Sequence, residues 1–236
     1  RDRSLTSAVR ALCLDAALSL DLSKSSDKQV AEKEDARASF LIPIAKAFST
    51  DIGCRVADLG IQVHGGMGYV EETGAAQVLR DVRVTAIYEG TNGIQAIDLI
   101  GRKLSDSGKA ANGLIDEIKI TIRNCGDHED LQIKEMGNRL SKSLVCMESS
   151  LNWMLKREDF NDRLAGATPF LKAFGFLLGA NYLVKAALNT GALDRKSLAQ
   201  FYCLNILPEM EAYGLMSQSG QHSLYSFSDN FFGFSQ

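Results

Sequence analysis

Phe40, Ile44, Phe48, Ile52, Val56, Leu59 and Val63 recur at spacings of three and four residues. A strand would need strict alternation, so this stretch buries one side only by winding into a helix, from about Asp35 to Val63. A helix of about seven turns cannot cover its own apolar stripe, and other helices must lie along it. Pro43 is expected to kink or reset the early turns, because it has no N–H to donate. Gly65 and Gly66 stand where a glycine in the left-handed conformation closes a helix.

The same period runs through the rest of the chain. Leu5, Ala8, Val9, Leu12, Ala16, Ala17 and Leu20 form an earlier helix with Ser4 as its N-cap. The polar stretch DLSKSSDKQVAEKED between the two reads as an exposed loop. A short third helix is expected over about Thr73 to Val82. VTAIYEG has the β-branched and aromatic content of a strand but no partner strand nearby, so it reads as an extended segment leading to a tight turn, Glu89 to Gly93. Thr91 takes the N-cap position of a fourth helix carrying Ile94, Ile97 and Ile100 to Leu104. SDSGKAANG then marks a domain boundary, giving units 1–104 and 105–236.

Beyond it four more helices are expected. Leu114, Ile118 and Ile122 mark one that closes near Gly126, and Ile133 to Met154 mark another with Asp130 near its start. Leu164 to Leu188 mark a third, ended by Gly191, with Thr168-Pro169 as a possible break. Leu198 to Tyr213 mark a fourth, capped by Asp194 and running to about Ser217. Short connections favour an antiparallel bundle. Asn181, within an apolar stripe, is expected to be a hydrogen-bonded core amide. The rings of Tyr225, Phe227, Phe231, Phe232 and Phe234 are expected to pack over the bundle or against a neighbouring subunit. The fold class is therefore all-α.

Bulk properties narrow the function. A length of 236 residues, 45% of them hydrophobic, suits one large or two small domains, and the boundary favours two. A net charge of -3 with acids and bases interspersed argues against a nucleic-acid partner. The five cysteines show no CxxC and no ligand-like spacing to the three histidines, which points to neither disulfides nor a metal site but to a reducing setting. No apolar run approaches the roughly 20 residues of a membrane span, and the N-terminus resembles neither a signal nor a transit peptide. The first residue is Arg1 rather than methionine, as expected of a piece of a longer protein.

The best reactive candidate is Glu89. A carboxylate between Tyr88 and Gly90, at the end of an apolar segment, acts as a general base if it is desolvated, and as an ordinary solvated loop acid if it is not. The N–H groups opening the Thr91 helix could donate to an acceptor beside it. Gly65 and Gly66 either bring backbone N–H groups close to a ligand or simply cap a helix. GGMG lacks the strand-before, helix-after context of a dinucleotide fingerprint and the lysine of a P-loop. His64 reads as packed or capped, and Arg80, Asp81 and Arg83 as an ion-paired patch tying helix to loop.

One stretch is more specific than its physics. QVHGGMGYVEETGAAQVLRDVRVTAIYEGTNGIQAIDLIGRKL pairs a Q-x-x-G-G-x-G-Y turn with Y-E-G-T some 20 residues later. It resembles the C-terminal helical domain of the acyl-CoA dehydrogenases, FAD flavoproteins, over about Arg1 to Leu104; residues 105–236 resemble the extra helical region of a bacterial branch. The resemblance implies that Glu89 removes the α-proton of an acyl-CoA thioester while a β-hydride passes to FAD. It further implies that Gly90 contacts substrate, that Thr91 and Gly93 lie beside FAD, and that Gln62, Gly65 and Gly66 touch FAD across a subunit interface in a homodimer or homotetramer. Electron-transfer flavoprotein is the implied redox partner, and the bacterial cytoplasm the implied location. The family often has glutamine where this chain has Gly93, although Gln95 is present. Its N-terminal helical and central β-domains are missing here, so the 236 residues alone are expected to be inactive. The alternatives are an acyl-CoA oxidase and a non-catalytic helical oligomerisation or binding module.

Overall fold

The computed structural model describes residues 1–190 and 192–227. Among the described residues there are eleven α-helices, short 3-10 turns and no strand. Gly191, Phe231, Phe232 and Phe234, named above as a helix end and tail rings, lie outside the described residues. Tyr225 and Phe227, which lie inside, are 74% and 52% exposed.

The first pair is α1 (Asp2–Leu22) and α2 (Lys28–His64). Ser4 lies inside α1, buried, and not at its cap. α2 begins some seven residues earlier than the apolar stripe indicates. Asp27 accepts hydrogen bonds from the N–H groups of Gln29 and Val30, and the run KQVAEKED consists largely of good helix formers that need no buried face. The expected loop shrinks to the few residues before Asp27. α2 also runs through Pro43 without ending, and Pro43 is itself buried.

After α2 come a single turn, α3 (Gly66–Tyr69), a 3-10 turn (Glu71–Thr73) and α4 (Ala75–Arg83). Val84–Ala86 continues as a 3-10 turn, so the segment read as extended is coiled on from α4. The next helix, α5 (Asn92–Asp98), widens into a π-turn over Leu99–Lys103. Then follow α6 (Lys109–Gly126), α7 (Leu131–Lys156), α8 (Phe160–Ala165), α9 (Ala167–Thr190), α10 (Leu193–Asn205) and α11 (Pro208–Met216). The break before α9 falls at Gly166, ahead of Thr168-Pro169, and the expected last helix divides where Pro208 opens α11. Asp130 caps α7, its side chain accepting from Gln132 N–H at 2.8 Å.

α9 is the axis of the core. It is buried on almost every side and packs against α1, α2, α5, α6, α7, α8, α10 and α11. By length and composition it is apolar enough to cross a membrane, with a mean hydropathy of 1.3, contrary to the expectation that no run approaches a span; 72% of that window is buried within the fold. Phe40 and Phe48 of α2 meet Phe174 and Phe176 of α9 edge to face, at 5.1 and 4.8 Å between centroids. The approach depends on Gly175, where a Cβ would stand 2.4 Å from the Phe48 ring. One contiguous apolar cluster therefore joins residues 1–104 to those after them. Asn181 is buried as expected, but its Oδ1 has no hydrogen-bond partner among the described residues.

A polar cluster joins the same halves. Arg37 of α2 pairs with Asp15 of α1 at 2.6 Å and with Glu117 of α6, while Tyr182 of α9 donates to Asp15 at 2.5 Å. Burial alone would lower the Arg37 pKa, but the two carboxylates overcome it and hold it above the ordinary value.

Candidate active site

The turn between α4 and α5 carries the predicted base. Glu89 has φ 54° and Gly90 φ 79°, two left-handed residues in succession. Glycine adopts that conformation freely, whereas a glutamate does so at a cost of order 1–3 kcal/mol that the surroundings must offset. The offset is visible in the bonds that hold the turn. Gln95 Nε2 donates to the Glu89 carbonyl at 2.9 Å, and Lys46 Nζ of α2 donates to the Gly90 carbonyl at 2.7 Å. Thr91 caps α5, its hydroxyl accepting from Ile94 N–H at 3.4 Å, as its position in the sequence indicated.

Asn92 anchors the start of α5 to α2. Its Oδ1 accepts from Lys46 Nζ at 2.9 Å, and its Nδ2 donates to Asp51 Oδ1 at 2.7 Å and to the Ala47 carbonyl at 3.1 Å. Lys46, Asp51 and Asn92 were not singled out from the sequence. The only signal was the placement of a lysine and an aspartate five residues apart on the helix opposite a capped asparagine.

The Glu89 carboxylate is exposed in this chain, and Ile87 and Tyr88 beside it are each 54% exposed. The desolvation expected from its apolar neighbours is therefore not supplied by these residues. The Glu89 N–H has no acceptor among the described residues. Gly90, Thr91 and Gly93 are exposed as well.

The second predicted turn lies at the far end of α2. Gly65 closes the helix with φ 61° and ψ -142°, a glycine-only conformation rather than the left-handed helical one that was expected. Its N–H bonds to the Gln62 carbonyl at 3.1 Å, and His64 Nδ1 lies 2.7 Å from the Gly60 carbonyl, a local capping role. Gly68 is required by packing: a Cβ there would meet the Ile61 carbonyl oxygen at 2.4 Å. Arg80 pairs with both oxygens of Glu71 at 2.8 and 2.7 Å, tying α4 to the preceding turn.

The two turns are not one site. Lys46, which holds the first, and Gly65 are 19 positions apart on α2, about 28 Å of helix. Gln62, Gly65 and Gly66 thus form a group separate from Glu89, Gly90, Thr91 and Gly93. Both present bare backbone. A Cβ built on Gly65 or Gly66 meets nothing within 4 Å, and one on Gly93 meets only the Thr91 hydroxyl at 3.8 Å. Open space beside the backbone leaves room for a flat ring or a pyrophosphate, such as those of a flavin nucleotide.

Fold and turn together define a helical domain that presents a carboxylate at the tip of a rigidly anchored turn. Residues 5–104 match the family model described as acyl-CoA dehydrogenase, C-terminal domain, and residues 114–228 the one described as acetyl-CoA dehydrogenase C-terminal like. The chain belongs to the acyl-CoA dehydrogenase family and corresponds to its C-terminal helical part. It is 37% identical to 3-methylmercaptopropionyl-CoA dehydrogenase of Ruegeria pomeroyi over 195 residues, which are 79% of this chain and 33% of that protein. Its fold is similar to that of Caenorhabditis elegans ACDH-11 in complex with C11-CoA, with a TM-score of 0.76 and 20% identity over 96% of this chain and 39% of that one. An acyl-CoA dehydrogenase from Bacillus anthracis complexed with FAD gives a TM-score of 0.60 and 15% identity over 98% of this chain and 43% of the other. The chain spans about a third of the length of the curated relatives it matches.

Proposed function

We propose that the whole protein is an FAD-dependent acyl-CoA dehydrogenase and that Glu89 is its base. The observation that carries this is the strained, doubly anchored Glu89-Gly90 turn, with a free carboxylate and a free N–H on one residue. The carboxylate takes the α-proton of an acyl-CoA thioester. Negative charge then grows on the thioester carbonyl, and the Glu89 N–H donates to it. FAD, when bound, would supply the acceptor for the β-hydrogen and its electron pair, giving the trans-2-enoyl thioester. Gly90 leaves room for the acyl chain, while Thr91 and Gly93 border the flavin ring.

The second turn serves another subunit in this reading. Gln62, Gly65 and Gly66 touch the FAD of a neighbouring chain in a homodimer or homotetramer, which explains why α2 holds them so far from Glu89. Electron-transfer flavoprotein reoxidises the cofactor, and the bacterial cytoplasm is the setting. The division into 1–104 and 105–236 belongs to the same reading and is supported by the two family matches, although the packing is shared.

A base works best when its pKa is raised toward neutrality by removal of water. Glu89 is exposed here, so the cover must come from the parts of the protein outside these residues. The 236-residue chain alone is accordingly expected to purify without flavin absorbance, and retained FAD would contradict that. For the whole protein, anaerobic addition of acyl-CoA thioesters of graded length is expected to bleach the flavin. Absence of bleaching across the series would overturn the proposed function, and stoichiometric peroxide on reoxidation in air would reassign it to an oxidase.

A further inference from the structure

Asp51 faces two ways. Its Oδ1 accepts from Asn92 Nδ2 at 2.7 Å, and its Oδ2 pairs with Lys172 Nζ of α9 at 3.2 Å. Asn92 is the residue whose Oδ1 is held by Lys46, the lysine that also fixes the Gly90 carbonyl. One ion pair and the hydrogen bonds beyond it therefore connect α9, through α2, to the residue next to Glu89. Lys172 is placed from its other side as well, its ammonium lying 5.6 Å from the centre of the Tyr213 ring of α11.

The charges alternate along this series: Lys46 positive, the Asn92 dipole, Asp51 negative, Lys172 positive. Without Lys172, Asp51 is free to turn its carboxylate toward Lys46, five residues earlier on the same helix. That would compete with Asn92 and with the Gly90 carbonyl for the one ammonium. Asp51 and Lys172 are about two-thirds buried, at 32% and 29% side-chain exposure, so the pair is only partly screened by water. α9 itself is the axis of the core and cannot shift without disturbing the whole fold.

We infer that Lys172 and Asp51 are positioning residues: through Asn92 and Lys46, the helical extension fixes the left-handed turn that presents Glu89. The inference rests on the proposed role of Glu89 and assigns the extension a part in catalysis. Neither Lys172 nor Asp51 touches the reacting atoms.

The test uses the full-length holoenzyme. Lys172→Met and Asp51→Asn are expected to lower kcat by about five- to tenfold, since small displacements of a reacting group are costly. KM for the acyl-CoA and flavin content should change less than about twofold, because neither Lys172 nor Asp51 bonds to Gly90, Thr91 or Gly93 and only the placing of the turn is altered. Lys172→Arg should restore kcat. Lys185→Gln, an exposed change further along α9, should leave it unaltered. Adding Lys172→Met to Asn92→Ala should cost little beyond Asn92→Ala alone, since both act on one path. A kcat for Lys172→Met within about twofold of wild type, or independent multiplication of the two effects, would overturn the inference. If Lys172→Met yields no holoenzyme, the isosteric Asp51→Asn decides by the same criteria. A wild-type enzyme that oxidises no acyl-CoA would instead overturn the proposed function.

Discussion

At the residue scale, the site is a problem in backbone geometry before it is one in acid-base chemistry. A glutamate at φ 54° persists because the Glu89 and Gly90 carbonyls are each held by a side-chain donor, Gln95 and Lys46 respectively. Glycine solves the complementary problem at Gly68, which is buried against the backbone of α2. Gly68→Ala places a methyl group against the Ile61 carbonyl, a group that cannot swing aside. About 1–3 kcal/mol of destabilisation is expected, read as an earlier thermal release of flavin from the full-length protein. Release at the wild-type temperature would show that α3 moves away freely.

A residue's role is legible in the sequence where that one residue decides the outcome. Thr91 is legible as a cap because a short polar side chain just before an apolar period has one good use there, whereas Asp130, placed only near the start of its helix, caps it as well. Ser4 failed the same test, since it is a small buried residue within α1. Asn92, Lys46 and Asp51 were not legible. Their partnership spans more than 40 positions, and nothing local distinguishes them from surface residues.

At the scale of elements, helix periodicity is visible wherever a face is buried and gives no sign where none is. The start of α2 carries no apolar stripe because its first turns are exposed and charged, while α9, apolar on most sides, is still marked as a helix and differs only in starting after Gly166. Connections between elements rest on carboxylates. Asp162 of α8, almost fully buried, accepts from the Gln221 N–H at 2.8 Å and from Arg157 Nε at 2.6 Å, which joins α8 to the chain after α11. The backbone donor first and the guanidinium second hold its pKa below the usual carboxylate value. A depressed folded-state pKa adds stability above the unfolded value, roughly 3.9, and that stability is lost as pH falls through the folded one. Asp162→Asn is therefore expected to lower the urea midpoint at pH 7, followed by the single Trp153, and the gap from wild type should narrow below about pH 4. An equal gap at both pH values would contradict the linkage.

At the scale of the whole molecule, two family matches lie on one core. Phe40 and Phe48 of the first pack on Phe174 and Phe176 of the second, and Arg37 is paired with both Asp15 and Glu117. Cutting the chain after Leu104 would expose those rings and leave the ends of α1 and α2 without a partner. The truncated protein is expected to aggregate or to lose a cooperative melting transition, whereas a monomeric 1–104 with a sharp transition would show that the extension merely adheres. Composition offers a boundary near Leu104, but it carries no sign that the core is shared across it. Amphipathic stripes say that a face is covered without saying by which helix.

The claim on which the rest depends is that Glu89 abstracts the α-proton. In the full-length enzyme, Glu89→Gln keeps the shape of the side chain and removes the base, so FAD should remain bound while dehydrogenation falls by at least about 10²-fold. Turnover within threefold of wild type, with the flavin in place, would contradict it.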